Sequence, residues 1–210
     1  MVRFRTSVVS LVALVALAAC SDAPSATEPT LDAAASAARK PKPTPTQPTS
    51  PTSPTSPTSP STGATVTGCE GSTVSLSADE KTSLDLHNAK RTQLGLRTFC
   101  VHPALQAAAR AHSADMLAQN YFSHNSISGI DWYTRIGNFG YPGVTRSENI
   151  GWGTGSMGTA DYLFNAWLGS PGHYAAIANP AHLEIGIGVS YGTFMSYSGA
   201  SIWTVDFGAR

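Results

Sequence analysis

The chain has 210 residues, and 13 Lys and Arg balance 13 Asp and Glu, so its formal net charge is zero with histidine neutral. It is 41% hydrophobic and 12% charged, enough apolar content for a packed core. Within residues 69–210 no basic run and no interleaving of aromatic with basic residues occurs, so nucleic acid is not an expected partner.

The chain begins MVRFRTSVVSLVALVALAAC. Arg3 and Arg5 form a short positive region, and the apolar run from Val8 to Ala19 is too short to span a membrane as a helix. Residues 1–19 therefore read as a signal peptide. The ending Leu17-Ala18-Ala19-Cys20 resembles a bacterial lipobox, which implies that Cys20 becomes the first mature residue and carries lipid. The alternative is ordinary secretory cleavage near Ala19, with Cys20 an incidental thiol. Residues 20–68 lack apolar periodicity and include four tandem Thr-Ser-Pro triplets from Thr49 to Pro60. Proline at this density favours polyproline II and removes backbone donors, so the stretch reads as a disordered tether. The expected destination is the cell envelope, with the domain outside the cytoplasm and the membrane reached through the anchor.

Residues 69–210 are long enough for one domain with a core of its own. Its two cysteines, Cys69 and Cys100, sit in an oxidising compartment if the signal is genuine, and are then expected to be bridged. A first helix starts at a capping box, Ser77 with Glu80 three residues on, and places Leu84, His87, Arg91 and Leu94 at helical spacing before Gly95. A second has Pro103 at its first position, buries Leu105, Ala108, Ala109, His112, Met116 and Leu117, and ends near Asn120. A third runs through MGTADYLFNAWLGS, and a short fourth follows Pro171-Gly172. Then the period changes to two. LEIGIGVS and SIWTVDFG alternate and read as an antiparallel pair, and TRSENIGWG can supply a further short strand. The glycine-rich middle section reads as long irregular loops. The sum is an α+β layered domain with a small antiparallel sheet between helices.

Candidate site groups are few. His124 follows the second helix, Glu148 sits among glycines, and Ser170 precedes His173 at the Pro-Gly turn. The other histidines have plain readings: His87 and His112 as packed or surface helix residues, His102 as a helix boundary and His182 as a surface turn. No metal-ligand pair at short spacing, nucleophile elbow or phosphate loop is present.

In chain order, NYFSH, ENI, W-x-x-S-P-G-H, EIGIG and IWTVDFG resemble the CAP superfamily, the group of cysteine-rich secretory proteins, antigen 5 and plant pathogenesis-related proteins, and its bacterial branch above all. The resemblance covers residues 77–208. It implies a three-layer α-β-α sandwich whose cleft is lined by two histidines and two glutamates able to bind a divalent metal. His124, Glu148 and His173 match three of those positions. Ser170 stands where the second glutamate would be. Two imidazoles and one carboxylate still make a zinc set with an open position. The implied function is a lipid-anchored envelope protein that displays this cleft to a lipid, glycan or peptide, with zinc or another divalent metal as the candidate cofactor. Asn149 to Gly158 and the aromatics Tyr121, Phe122, Trp132, Tyr133 and Trp152 are candidates for lining it. The alternative is a metal-assisted hydrolase of peptide, ester or cell-wall substrates, with Glu148 or Ser170 as the catalytic group.

Overall fold

The computed structural model describes residues 63–210. Residues 1–19, read as a signal peptide, Cys20 and the Thr-Ser-Pro repeats lie outside the described residues. β1 (Ala64–Thr67) and β2 (Thr73–Leu76) form an antiparallel pair. β1 starts ahead of Cys69, inside the stretch expected to be tether.

α1 (Ala78–Gln93) opens on the expected capping box. Ser77 Oγ accepts from the Glu80 amide at 3.2 Å and Glu80 returns a carboxylate to the Ser77 amide at 2.8 Å. β3 (Cys100–Val101) follows, then α2 (Pro103–Gln119), which ends at Asn120 in the left-handed region. α3 (Trp132–Asn138) falls where irregular loop was expected. Asp131 caps it by accepting from the Thr134 amide at 2.8 Å. β4 (Thr145–Thr154) is a long strand rather than a short one. α4 (Ala160–Leu168), α5 (Pro171–Ala178), β5 (Glu184–Phe194) and β6 (Tyr197–Ala209) complete the chain.

The main sheet has the order β3-β5-β6-β4. β4, β5 and β6 pair antiparallel as expected, while the two-residue β3 pairs parallel to β5. Alternation on β6 serves two covered faces. Trp203, Val205 and Phe207 pack with Leu84 of α1, Leu163 and Trp167 of α4 and Ile177 of α5. Ile202 packs with Met116 of α2, and Thr204 accepts from Ser113 of α2 at 2.9 Å. The result is a three-layer α-β-α sandwich. Gly186 and Gly188 of β5 lie against the α2 backbone at Leu105–Gln106 and Ala109–Arg110, where any side chain would collide. These glycines set how closely α2 approaches the sheet.

Two devices tie distant segments of the domain together. Cys69 and Cys100 form a disulfide, tying the turn between β1 and β2 to β3. Arg91 is fully buried and donates to Ile177 O at 2.9 Å, Asn179 O at 3.0 Å, His182 O at 2.7 Å and Arg97 O at 2.6 Å. It thereby caps the C-terminal carbonyls of α5 with a cation, which the helix dipole favours. His182 is not a surface turn. It is 1% exposed, stacks on Phe207 and bonds Ala176 O through Nδ1 at 2.9 Å.

Candidate functional site: a cleft along the β4 edge

β4 pairs with β6 on one side only, so its other edge is open to other elements. A cavity of about 510 Å³ lies along that edge, lined by residues 146–149 of β4, Trp132 of α3, His124 and the N-terminal turn of α5. His124, Glu148, Ser170 and His173 all line it. Of the other aromatic candidates, Trp152 packs on Phe194 and Tyr197 instead.

Pro171 supplies the fixed φ of the first helical position of α5, and His173 follows in its first turn. Asn149 Nδ2 donates to His173 O at 3.1 Å, which ties that turn to β4. The His173 imidazole has no hydrogen-bond partner among the described residues. Its pKa is lowered, first by burial and then by the nearby His124.

Glu148 is the most constrained member. Its side chain is 1% exposed. Oε1 accepts from His124 Nδ1 at 2.8 Å, and Oε2 accepts from Arg135 Nη2. Arg135 also donates to His124 O at 2.7 Å, so one guanidinium holds both the carboxylate and the loop that carries the histidine. A carboxylate only accepts, so His124 meets it through a protonated Nδ1, and in the neutral ring Nε2 is then the bare acceptor. This is the arrangement in which a carboxylate orients a metal-binding imidazole from behind.

The donor set therefore differs from a three-ligand expectation. Among the described residues, the one trio of His, Cys, Asp or Glu donors gathered within 4.8 Å is Cys69, Cys100 and Glu184, and the disulfide removes both thiolates. His124, Glu148 and His173 are not gathered that closely, and both oxygens of Glu148 are engaged. Two imidazole nitrogens remain to fit a borderline divalent cation such as zinc. Ser170 is the N-cap residue of α5 but makes no side-chain capping bond, and no hydrogen bond joins its hydroxyl to His173.

Three charged residues at this site had no signal in the sequence. Arg135 lies on the unexpected α3. Arg146 lines the cleft and donates to Gly143 O, Tyr133 O and Tyr141 O over the Tyr133 ring, with no carboxylate partner among the described residues. Asp206 of β6 sits directly across from Glu148 of β4, is fully buried and has no hydrogen-bond partner on either oxygen among the described residues. Burial first, and then the charge of Glu148, push its carboxyl pKa well up. Burial thus favours the protonated form of Asp206.

The model of the cysteine-rich secretory protein family, CAP, matches residues 84–207, more than half of the chain. The chain belongs to this family. The Bacillus subtilis (strain 168) protein YkwD is 35% identical over 133 residues, 63% of this chain and 48% of its own length. The Bacillus subtilis (strain 168) membrane protein YlbC is 31% identical over 113 residues, 54% of this chain and 32% of its own. The chain thus spans from about a third to about half of the curated relatives it matches. Among solved structures, an outer surface protein of Borrelia burgdorferi superposes with a TM-score of 0.55 at 21% identity, over 71% of this chain and 99% of that one. An extracellular protein of Bacillus anthracis that contains an SCP domain gives 0.54 at 23% identity, over 63% of this chain and 40% of that one. At these identities the likeness is one of fold, and it agrees with the CAP sandwich built above.

Proposed function

We propose that this CAP protein is exported to the cell envelope and binds a lipid, glycan or peptide in the β4-edge cleft, with a divalent metal such as zinc held by His124 and His173. The observation that carries the reading is the Glu148–His124 contact. Glu148 fixes the imidazole through Nδ1 and leaves its other nitrogen free in the cavity that His173 also lines. A metal bound there would supply a Lewis acid within the cleft. Arg146 adds a positive charge without a carboxylate partner among the described residues, and Trp132 adds an apolar wall.

Export fits two fold relatives, one an extracellular protein and the other an outer surface protein; anchoring rests on the Cys20 lipobox and the Thr-Ser-Pro tether of the sequence. No helix among the described residues is long and apolar enough to cross a membrane. Mass spectrometry of the mature N-terminus should find an acylated Cys20, and an unmodified Cys20 would remove the anchor from the proposal. The serine variant of the hydrolase alternative lacks an activated nucleophile, because Ser170 makes no hydrogen bond to a base among the described residues.

Calorimetric titration of Zn²⁺ into the purified full chain tests the metal reading. Micromolar or tighter binding is expected at pH 7.5. It should weaken at pH 5.5, where protons compete for imidazole, and vanish in His173→Ala. Absence of binding at pH 7.5, or binding unchanged in the variant, would overturn it.

A further inference from the structure

The backbone of β4 carries bonding capacity that the fold does not use. In an antiparallel ladder a residue turns its N–H and C=O to the same side, and the side alternates along the strand. Trp167 Nε1 donates to Ile150 O at 3.0 Å, so Ile150 turns its backbone groups away from β6. β5 gives the same phase. Ile187 engages the Gln106 side chain with both its N–H and its C=O, and so faces away from β6. Gly186 and Gly188 then face Asp206 and Thr204 of β6, and Phe207 and Val205 face Ser147 and Asn149 of β4. Arg146 and Glu148 are left with their N–H and C=O on the free edge, and none of these four groups has a partner among the described residues.

The edge is open to a ligand. Glu148 is 8% exposed as a residue while its side chain is 1% exposed, so what it presents to the cavity is main chain. Arg146 is half-buried and lines the same cavity. The free stretch is short. Val144 O accepts from Tyr133 Oη at 3.3 Å and Ile150 O from Trp167, so only Arg146 and Glu148 remain between them. α3 contributes Trp132 to the walls, and α5 contributes Gly172, His173 and Ala176. A cavity of about 510 Å³ between two helices suits a few residues of extended chain rather than the edge of a second folded copy.

Charge narrows the occupant further. Glu148 is answered by Arg135, whereas Arg146 donates only to carbonyls and keeps its charge. The balance left in the cleft is positive and favours an occupant that carries a carboxylate.

We propose that the cleft binds an extended acidic peptide, which adds to β4 as a fifth strand of the main sheet by bonding the N–H and C=O groups of Arg146 and Glu148. The proposal rests on the reading of the cleft as a ligand site and narrows that ligand to peptide.

The test is a ¹H–¹⁵N NMR titration of the full chain, without zinc, with the blocked peptide acetyl-Thr-Val-Asp-Val-Thr-amide. Before peptide is added, the amides of Arg146 and Glu148 should exchange with solvent faster than those of Ser147 and Asn149. Peptide should shift the Arg146 and Glu148 amides saturably and slow their exchange. N-methylation of the peptide's Asp, or of both its Val residues, removes donors from opposite edges of the added strand. One of these two peptides should bind about tenfold more weakly than the parent and the other within about threefold of it. Replacing the Asp by Lys should weaken binding about threefold. Unshifted Arg146 and Glu148 amides, equal binding of the two methylated peptides, or undiminished binding of the Lys peptide would each overturn the proposal. So would protection of the two amides without peptide that grows with protein concentration, since that would give the edge to a second copy. Shifts at Gly172 and His173 without the pattern at β4 would overturn strand addition and leave the cleft as a ligand site.

Discussion

Replacing Glu148 by glutamine should damage the domain in two separable ways. The side chain is almost the same size, so packing is kept and the change is one of charge. In the native protein the carboxylate at 1% exposure pairs with Arg135, whose side chain is 8% exposed. Removing one member of a buried pair costs about 3–5 kcal/mol, because the other charge is left uncompensated. Glutamine retains one acceptor for Arg135, and the His124 side chain is 45% exposed, so its contact is screened and adds little. The expected loss is about 2–3 kcal/mol. For a domain of this size each kcal/mol lowers the melting temperature by about 2–4 °C, so Glu148→Gln should melt about 4–12 °C lower. The second effect is on the imidazole. Oriented to give its carbonyl to Arg135, the glutamine turns its amide N–H₂ toward His124 Nδ1. That favours the tautomer with the proton on Nε2, and zinc affinity should fall about 10–100-fold. Thermal and urea unfolding read the first effect, and calorimetric titration reads the second. Arg135→Met with Glu148→Gln should be less destabilised than the sum of the single variants, by more than about 1 kcal/mol. A single variant within about 0.5 kcal/mol of wild type, or a strictly additive cycle, would refute the argument.

Three further outcomes follow from the same structure. Asp206 has a folded pKa raised by burial and by Glu148 and opposed by Arg135, so its stabilising contribution is complete below the unfolded carboxyl pKa and is lost as pH rises. Asp206→Asn should therefore gain on wild type between about pH 4 and pH 7 in urea unfolding, and a difference that narrows with pH would contradict this. His87 is fully buried against Phe164, and burial lowers its pKa to about 4. Its contribution is present above the unfolded value near 6.5 and falls by up to about 3 kcal/mol as pH drops toward 4, so His87→Leu should flatten the pH dependence of stability in that window. The Cys69–Cys100 bridge closes a loop with a sequence separation of 31. Its reduction should lower the unfolding free energy by about 3–4 kcal/mol, measured with and without reductant.

The elements that the sequence made legible are those whose signals are local. The Ser77 capping box, Pro103 and Pro171 at first helical positions, and the alternation in β5 and β6 each arise within a few residues, and each appears as read. His124, Glu148 and the Ser170–His173 turn reach one cavity from three separate segments, and only their order along the chain pointed there. The hidden features depend on distant partners. α3 buries only Arg135 and Ile136, too few to leave a periodic pattern. Arg135 looks like an ordinary surface arginine until Glu148 is placed beside it. In SIWTVDFG, Asp206 occupies a position that alternation gives to solvent, but α2 covers that face, so the carboxyl is buried. His182 follows a turn sequence, yet Arg91 draws its carbonyl inward from a helix far away along the chain. The resemblance offered Glu148 as a ligand, and the partner that holds its second oxygen, Arg135, sits on the helix that had not been expected.

The measurement closest to the central claim is a long-range ¹H–¹⁵N NMR spectrum of the histidine side chains at about pH 7.5, with and without Zn²⁺. Glu148 is predicted to hold His124 as the Nδ1-protonated tautomer before metal is added, and zinc should then shift His124 Nε2 together with a nitrogen of His173. An Nε2-protonated His124, or zinc shifts on other histidines with these two unchanged, would contradict the account.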